Sequence, residues 1–230
     1  MMQGPGLSNP AVFHLGPLPI TVTVVTTWGI MLALFLVAWL STRRLSLDPR
    51  PWQVLLEGVV SAIEDAIGAV LPDHAQRVFP FVATLWVFIT VANLAGLIPG
   101  LDAPTGDLSL TAALAILVFL SVHWYGLRTR GLREYLRHYL RPNPILLPFH
   151  LISEVSRTLA LAVRLFGNIM SLEMAALLVL VVAGFLAPVP LLMLHIVEAL
   201  VQAYIFGMLA LIYIAGAIQS QELNRPLKNS

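Results

Sequence analysis

The sequence predicts an all-α polytopic membrane protein with about five membrane-embedded helices and one interfacial amphipathic helix; the last two embedded helices are expected to be long and strongly tilted. Of the 230 residues, 58% are hydrophobic and only 11% are charged, and the mean hydropathy is +0.86. Soluble domains are about half apolar and a quarter charged. Several apolar runs also reach the roughly 20 residues that a helix needs to cross a bilayer. We therefore expect a single membrane domain over residues 1–230.

The composition also excludes several classes of function. The formal net charge of +1 gives no electrostatic support for a nucleic-acid partner. The chain has no cysteine, which excludes disulfides and thiolate metal sites. No Gly-x-x-x-x-Gly-Lys-Ser/Thr loop occurs, so no nucleotide site of that kind is expected in this chain. No cofactor is predicted. The N-terminus lacks the basic segment of a secretory signal, and the first apolar run is expected to be a retained span.

The first half of the chain is expected to contribute three spans and a surface helix. Residues 20–40 form the first span, which contains no charged residue. Residues 51–70 combine apolar side chains at helical spacing with acidic ones, which is typical of an amphipathic helix at the membrane surface. Residues 78–98 and 108–127 form the second and third spans, and a turn rich in proline and glycine separates them.

The last two elements, residues 146–185 and 190–218, are too long for upright spans. At 1.5 Å per residue the first would measure roughly 60 Å as one helix, whereas the hydrocarbon core of a bilayer is about 30 Å thick. Both elements are therefore expected to lie strongly tilted or to bend.

The basic residues predict the orientation of the chain. Of the 13 lysines and arginines, all except Arg157 and Arg164 fall on one side of the predicted topology if the N-terminus is outside and the C-terminus is cytoplasmic. Cytoplasmic loops carry the excess of basic residues in membrane proteins. The two exceptions lie within residues 146–185.

Arg164 is the most informative residue, because an arginine keeps its charge in a protein and costs on the order of 2.5–3.5 kcal/mol at mid-bilayer. Such a residue points to an ion path or to a partner's carboxylate. Arg157 shares its helical face, and Asn168 lies one turn beyond it. Glu154 is placed to pair with Arg157, three residues later, whereas Glu173 turns to roughly the opposite side of the helix.

Three polar residues form a stripe on the last helix, His195, Glu198 and Gln202, because their spacings match the helical repeat. Polar groups on apolar helices are costly unless they face each other or water. We expect a hydrated path lined by Glu173, Asn168, His195, Glu198 and Gln202, along which carboxylate and imidazole groups pass a proton.

Other interpretations of these residues stay open. Arg157 alone is compatible with snorkelling to the inner surface. Glu173 and His195 are compatible with a static buried pair, and Asn168 and Gln202 with hydrogen bonding between helices.

Four stretches of the chain resemble the sequence signature of subunit a of F-type ATP synthases. They are SRTLALAVRLFGN at residues 156–168, NLAGLIPG at 93–100, PTGDLSLT at 104–111 and QAYIF at 202–206. The resemblance extends from the first span to about residue 218, and Arg-Leu-Phe-Gly-Asn in a long apolar helix is highly specific.

The resemblance implies a non-catalytic stator subunit of a membrane motor. It would work in an F-type ATP synthase complex of a bacterial plasma membrane, with a ring of c subunits and the b-subunit peripheral stalk. Arg164 would face the ring carboxylate and separate two half-channels for protons. Glu173, His195 and Gln202 would line the outer half-channel, with Asn168 beside the arginine.

Two positions depart from the family pattern. Thr158 stands where many relatives have proline, and His150 stands where many carry an acid, fourteen residues before the essential arginine. Glu154 lies a turn further on and is placed to replace that acid, so Arg157, Glu154 and His150 are the candidates for the inner side. These features resemble the divergent N-type branch, some members of which use sodium; we expect protons, with sodium as the alternative.

Two further classes of function stay open. An independent secondary transporter or ion channel would work alone, but transporters often show paired repeats, and none is apparent in this sequence. An intramembrane metal-dependent hydrolase would need a third ligand beside His195 and Glu198, because two ligands at this spacing do not make a site. No His-Glu-x-x-His motif is present.

Overall fold

The computed structural model describes residues 11–15, 18–43, 51–98, 101, 103–130, 147–184 and 189–222. Six α-helices dominate these residues, five of which, all except α2, are long and apolar enough to cross a membrane. A 3₁₀ turn, Pro104–Gly106, precedes α4. This architecture confirms the predicted all-α polytopic membrane fold. The helices are α1 (Val22–Thr42), α2 (Pro51–Val70), α3 (Ala75–Ala95), α4 (Leu108–Arg130), α5 (Leu147–Ala183) and α6 (Val189–Glu222).

The helix bounds differ from the predicted spans by a few residues. α3 begins at Ala75 rather than at residue 78, and α4 continues to Arg130 rather than ending at residue 127. In both places the added residues are mostly polar, so hydropathy does not mark them. Arginine and glutamine are nevertheless good helix formers, and the helices extend through them.

An antiparallel hairpin, which was not predicted from the sequence, precedes the first helix. Its strands are β1 (Ala11–Leu15) and β2 (Leu18–Thr21). β2 runs directly into α1, so the first span begins at Val22 rather than at residue 20. Pro19 fits within β2 because each strand of a two-stranded sheet is an edge strand.

α1 and α2 lie at the periphery of the helix bundle. α1 contacts α3, β2 and the 3₁₀ turn but buries none of its side chains. α2 packs against α3 and α6 and buries Ile67 alone. The surface of α1 is suited to lipid contact, because its large apolar side chains remain exposed, among them Trp28, Met31, Leu32, Phe35 and Leu40.

The core lies where the other four helices meet. α3 packs against α6, and α4 packs against both α5 and α6. Association of helices in lipid depends on van der Waals packing and close approach rather than on a hydrophobic driving force. The four helices interlock through fully buried side chains that include Ile89, Leu161, Leu165, Phe206 and Leu211.

One glycine lets α3 and α6 approach closely. A Cβ atom at Gly207 would lie 2.8–2.9 Å from three atoms of the Trp86 indole, so the ring occupies the space that any larger residue would need. The indole also stacks on the ring of Tyr204, with 5.5 Å between centroids. Small residues commonly have this role at helix interfaces in membranes. The contact fixes the position of α6 within two turns of Gln202.

α5 and α6 are much longer than a bilayer is thick. They contain 37 and 34 residues, which correspond to about 55 Å and 51 Å. Each includes an apolar stretch of 31 residues, or about 46 Å. A straight helix of that length fits inside a core of about 30 Å only when it is tilted by about 50° from the bilayer normal.

Candidate ion-translocation site

Arg164 lies on a broad exposed side of α5, which we call the Arg164 face and define by Leu159, Ala160, Val163 and Arg164. The arginine is exposed, and Leu159 and Val163 are 59% and 58% exposed. The opposite side of the helix is buried through Leu161 and Leu165. Among the residues that the structure describes, none is recorded in a hydrogen bond or ion pair with Arg164. Its permanent charge therefore has no counter-charge from the described part of this chain.

A hydrogen bond joins α5 to α6 one turn beyond Arg164. The amide nitrogen of Asn168 donates to Oε1 of Gln202 at 2.7 Å. Gln202 is 1% exposed, and its Nε2 is buried without a hydrogen-bond partner in the described part of the chain. A buried donor left in this way costs about 1–3 kcal/mol unless water reaches it. Water beside the Asn168–Gln202 bond would satisfy this donor.

His195 is held by α3 rather than by α5. Its Nε2–H donates to the backbone carbonyl of Asn93 at 3.1 Å, and the side-chain amide of Asn93 donates to the carbonyl of Ala199 at 3.2 Å. This bond assigns the proton of a neutral imidazole to Nε2 and leaves Nδ1 as the acceptor. The recorded bond of His195 thus goes to Asn93 and not to Glu173.

Asn93 belongs to the NLAGLIPG motif but was not predicted as a candidate site residue. It is fully buried, and its Oδ1 has no hydrogen-bond partner within the described ranges. The available signal was a single amide within an apolar span, since polar groups at membrane depth are costly and usually functional.

The carboxylate of Glu173 lies against the 3₁₀ turn. A Cβ atom at Gly106 would lie 3.1 Å and 3.4 Å from the two carboxylate oxygens, so glycine leaves the room that Glu173 occupies. The neighbouring Thr105 is fully buried, and its hydroxyl has no partner in the parts of the chain described. Asp107 anchors this turn, because its Oδ1 accepts bonds of 2.8 Å from the backbone N–H and the hydroxyl of Ser109.

These residues come from α3, the 3₁₀ turn, α5 and α6, and we refer to Asn93, Thr105, Glu173, His195 and Gln202 as the polar cluster. Three of its buried polar atoms, Asn93 Oδ1, Thr105 Oγ1 and Gln202 Nε2, lack a hydrogen-bond partner among the described residues. Buried groups of this kind are those that ordered water satisfies in proteins. The arrangement is chemically suited to a hydrated path that includes a carboxylate and an imidazole.

The predicted pairing of Glu154 with Arg157 is corrected by the structure. Oε1 of Glu154 lies 3.7 Å from Nε2 of His123 on α4. The guanidinium of Arg157 instead lies over the ring of Tyr213 on α6, 5.6 Å from its centroid. Helical spacing permits a pair between Glu154 and Arg157. In the structure, however, Glu154 faces the imidazole of His123 on α4, and Arg157 lies over the aromatic ring of Tyr213 on α6.

Two predicted site residues, Glu198 and His150, have no polar contact described in the structure. Glu198 is partly buried, and no hydrogen bond or ion pair is recorded for it among the described residues. The side chain of His150 lies outside the described residues. No group of three histidines, aspartates or glutamates within the described ranges could hold a metal ion.

Comparison with known proteins identifies the family of the chain. The chain matches the family model described as ATP synthase A chain over residues 24–215. It is 70% identical to "ATP synthase subunit a 2" of Pelobacter propionicus over 221 residues, which cover 96% of this chain and 97% of the relative. It is 65% identical over 212 residues to "ATP synthase subunit a" of Legionella pneumophila, with 92% of each chain covered. Identity to "ATP synthase subunit a 1" of Hahella chejuensis is 63% over 225 residues, which cover 98% of this chain and 95% of the relative.

The matched region contains most of α1 and α6, all of the helices between them and every candidate site residue. With five apolar membrane-length helices, the chain is an integral membrane protein. The chain therefore belongs to the ATP synthase A chain family, the family of the non-catalytic membrane stator subunit a of F-type ATP synthases.

Proposed function

We propose that this chain conducts protons through two half-channels and presents Arg164 to a carboxylate of the c-subunit ring. The observation that supports the proposal most strongly is the Arg164 face, where a permanent charge is exposed on an apolar surface without a counter-charge from the described residues. A carboxylate brought by a neighbouring subunit would stabilise the guanidinium, because the planar fork of arginine binds carboxylates through two hydrogen bonds. The apolar residues beside it would pack against that subunit.

The fixed charge would couple proton flow to rotation of the ring. As a protonated ring carboxylate approaches, Arg164 favours its ionised form, and the proton leaves through one half-channel. After the carboxylate moves past the arginine, it takes a proton from the other half-channel. Because Arg164 keeps its charge, it opposes a direct cation leak between the two paths.

The polar cluster would form the half-channel on the outer side. Glu173 follows Arg164 by nine residues, or about 14 Å along the helix axis. The buried atoms without partners favour water in this region. Glu173 and His195 would exchange protons along it, and the Asn168–Gln202 bond would lie where the path approaches the arginine.

The proposed orientation places the N-terminus outside and the C-terminus in the cytoplasm of a bacterium. It is supported by the basic residues, which concentrate on one side of the topology as expected for cytoplasmic loops. The b-subunit stalk and the c ring are the proposed partners within the complex. Protons are the proposed coupling ion and sodium is the alternative, since the ring site, which belongs to another chain, has the larger share in choosing the ion.

Cysteine cross-linking tests the face assignment, since the chain contains no cysteine of its own. The complex would carry one cysteine beside the ring carboxylate and either Val163→Cys or Leu165→Cys in this chain. Val163 is 58% exposed on the Arg164 face, whereas Leu165 is fully buried two residues further on. We expect efficient cross-linking to the ring from Val163→Cys and little from the matched Leu165→Cys control. Equal yields from both, or none from either in an assembled complex, would contradict the proposal.

A further inference from the structure

A second pair of ionisable side chains joins α4 to α5, away from the polar cluster. Oε1 of Glu154 lies 3.7 Å from Nε2 of His123, and the two side chains are 21% and 27% exposed. This distance is longer than a direct hydrogen bond and fits either an ion pair or a contact bridged by one water. A carboxylate and an imidazole held so close, and still partly accessible, form a site at which protons can enter or leave.

The surroundings of His123 determine which nitrogen can take up a proton. Its Nδ1–H donates to the backbone carbonyl of Phe119 at 2.8 Å, and its ring lies 4.3 Å from the ring of Phe119, centroid to centroid. The carbonyl therefore fixes the tautomer of the neutral imidazole. Nε2, the nitrogen that faces Glu154, is left as the atom that gains or loses the proton.

The position of the pair along α5 mirrors that of the polar cluster. Glu154 precedes Arg164 by ten residues, or about 15 Å of helix, and Glu173 follows Arg164 by nine residues, or about 14 Å. Two carboxylates thus flank the arginine at similar distances, one lying against the 3₁₀ turn and the other facing an imidazole. The two halves of α5 each supply one carboxylate.

We propose that His123 and Glu154 together form the proton-exchange site at the inner end of the ion path. This inference rests on the proposed function. A proton passes between Oε1 of Glu154 and Nε2 of His123, through one water or after a small closure, and then exchanges with the cytoplasmic solvent. Only O–H and N–H bonds form and break, and no other reactant is needed.

Other charged and titratable groups lie on the helices that carry the pair. Arg157 lies one turn along α5, over Tyr213 of α6. On α4, Tyr125 and Arg128 follow His123, and the hydroxyl of Tyr125 donates to the backbone carbonyl of Arg77 on α3 at 3.3 Å.

The test uses inverted membrane vesicles that hold the whole complex, in which the cytoplasmic face of the protein meets the bath. His123→Arg keeps a positive partner for Glu154 but cannot release a proton. We expect ATP-driven pumping to fall on the order of tenfold, less than the 10²–10⁴ typical of a positioned acid–base group because water can partly substitute. The remaining rate should also depend less steeply on bath pH than the wild-type rate does. Glu154→Gln, which preserves side-chain shape, should slow pumping to a similar extent and provides the measurement if His123→Arg does not assemble.

A purely structural ion pair predicts a different result. Pumping by assembled His123→Arg complexes at the wild-type rate, with the wild-type pH profile, would overturn the inference; if only Glu154→Gln assembles, the same result with that variant would do so. Arg164→Ala in the same vesicles distinguishes failure of the inner exchange site from failure of the proposed function. If Arg164→Ala is inactive while the pair variants are normal, only the inner exchange site is refuted; if Arg164→Ala pumps normally, the proposed function itself fails.

Discussion

Replacing Gly207 by alanine tests whether the close contact between α3 and α6 organises the site. The added Cβ would lie 2.8 Å from Nε1 of Trp86, and two further indole atoms would lie at 2.9 Å. Gly216 provides a matched control on the same helix, because nothing lies within 4 Å of a Cβ atom there. The two variants introduce the same methyl group into α6, but only one meets a neighbouring ring.

The expected magnitude follows from these distances. Ordinary contact begins at about 3.5 Å, so the indole or the helix must move by about 0.7 Å in Gly207→Ala. Overpacking of this kind costs about 1–3 kcal/mol, against a gain of about 1 kcal/mol from replacing glycine by alanine within a helix. The gain is common to both variants and cancels. Gly207→Ala should therefore be about 1–3 kcal/mol less stable than Gly216→Ala.

Thermal unfolding of the purified chain in detergent provides the assay. For a chain of this size the difference corresponds to about 2–4 °C per kcal/mol, so the two variants should melt several degrees apart. Trp86→Phe in the Gly207→Ala background, with its smaller ring, should recover part of the loss. Equal melting temperatures for Gly207→Ala and Gly216→Ala would refute the packing on which the placement of α6 depends.

Three further substitutions address the path directly, each measured as ATP-driven pumping by vesicles holding the whole complex. Gly106→Ala would place a Cβ atom 3.1 Å from the Glu173 carboxylate and should slow pumping several-fold. The control Gly68→Ala has open space around its Cβ and should pump at the wild-type rate. Equal pumping rates for the two variants would exclude the 3₁₀ turn from the path. Glu173→Gln removes a proton acceptor and should slow pumping about tenfold or more, and an unchanged rate would exclude Glu173 as a relay. Arg157→Ala should reduce pumping less than Arg164→Ala, because the guanidinium of Arg157 already lies over an aromatic ring of this chain and is therefore not left for a ring carboxylate. A loss of pumping as complete as that of Arg164→Ala would contradict this expectation.

Much of the fold could be predicted because membrane helices are set by local composition. A run of about 20 apolar residues must form its own hydrogen bonds in lipid, and a helix does so without distant partners. The same reasoning singled out Arg164, since one permanent charge in an apolar run is conspicuous. The spacing of seven between Arg157 and Arg164 also predicted their shared face, and the structure leaves both residues exposed.

The contacts between helices could not be predicted, because helical periodicity shows which residues share a face and not which helix packs against it. Glu154 was matched to Arg157 three residues away, whereas its recorded partner His123 comes from another helix. Asn93 bonds to residues more than 100 positions later in the chain. The indole over Gly207 likewise depends on the packing of α3 against α6.

The hairpin before α1 was missed for a different reason. Its strands have only 5 and 4 residues. A sequence pattern of that length does not distinguish a short strand from the residues that lead into an apolar helix. Pro19 lies in the second strand and argues against strand assignment in general. Pairing between the two segments, which periodicity cannot reveal, is what defines them.

The most direct test of the central claim is ATP-driven ion pumping by inverted membrane vesicles that hold the whole complex, comparing the wild type with Arg164→Ala in the presence and absence of sodium. We predict that the variant assembles with its c ring but does not pump, and that the wild type pumps protons without a sodium requirement. Pumping by the variant at the wild-type rate would contradict the role of Arg164 as the charge facing the ring. A strict requirement for sodium would contradict the choice of ion while leaving that role intact.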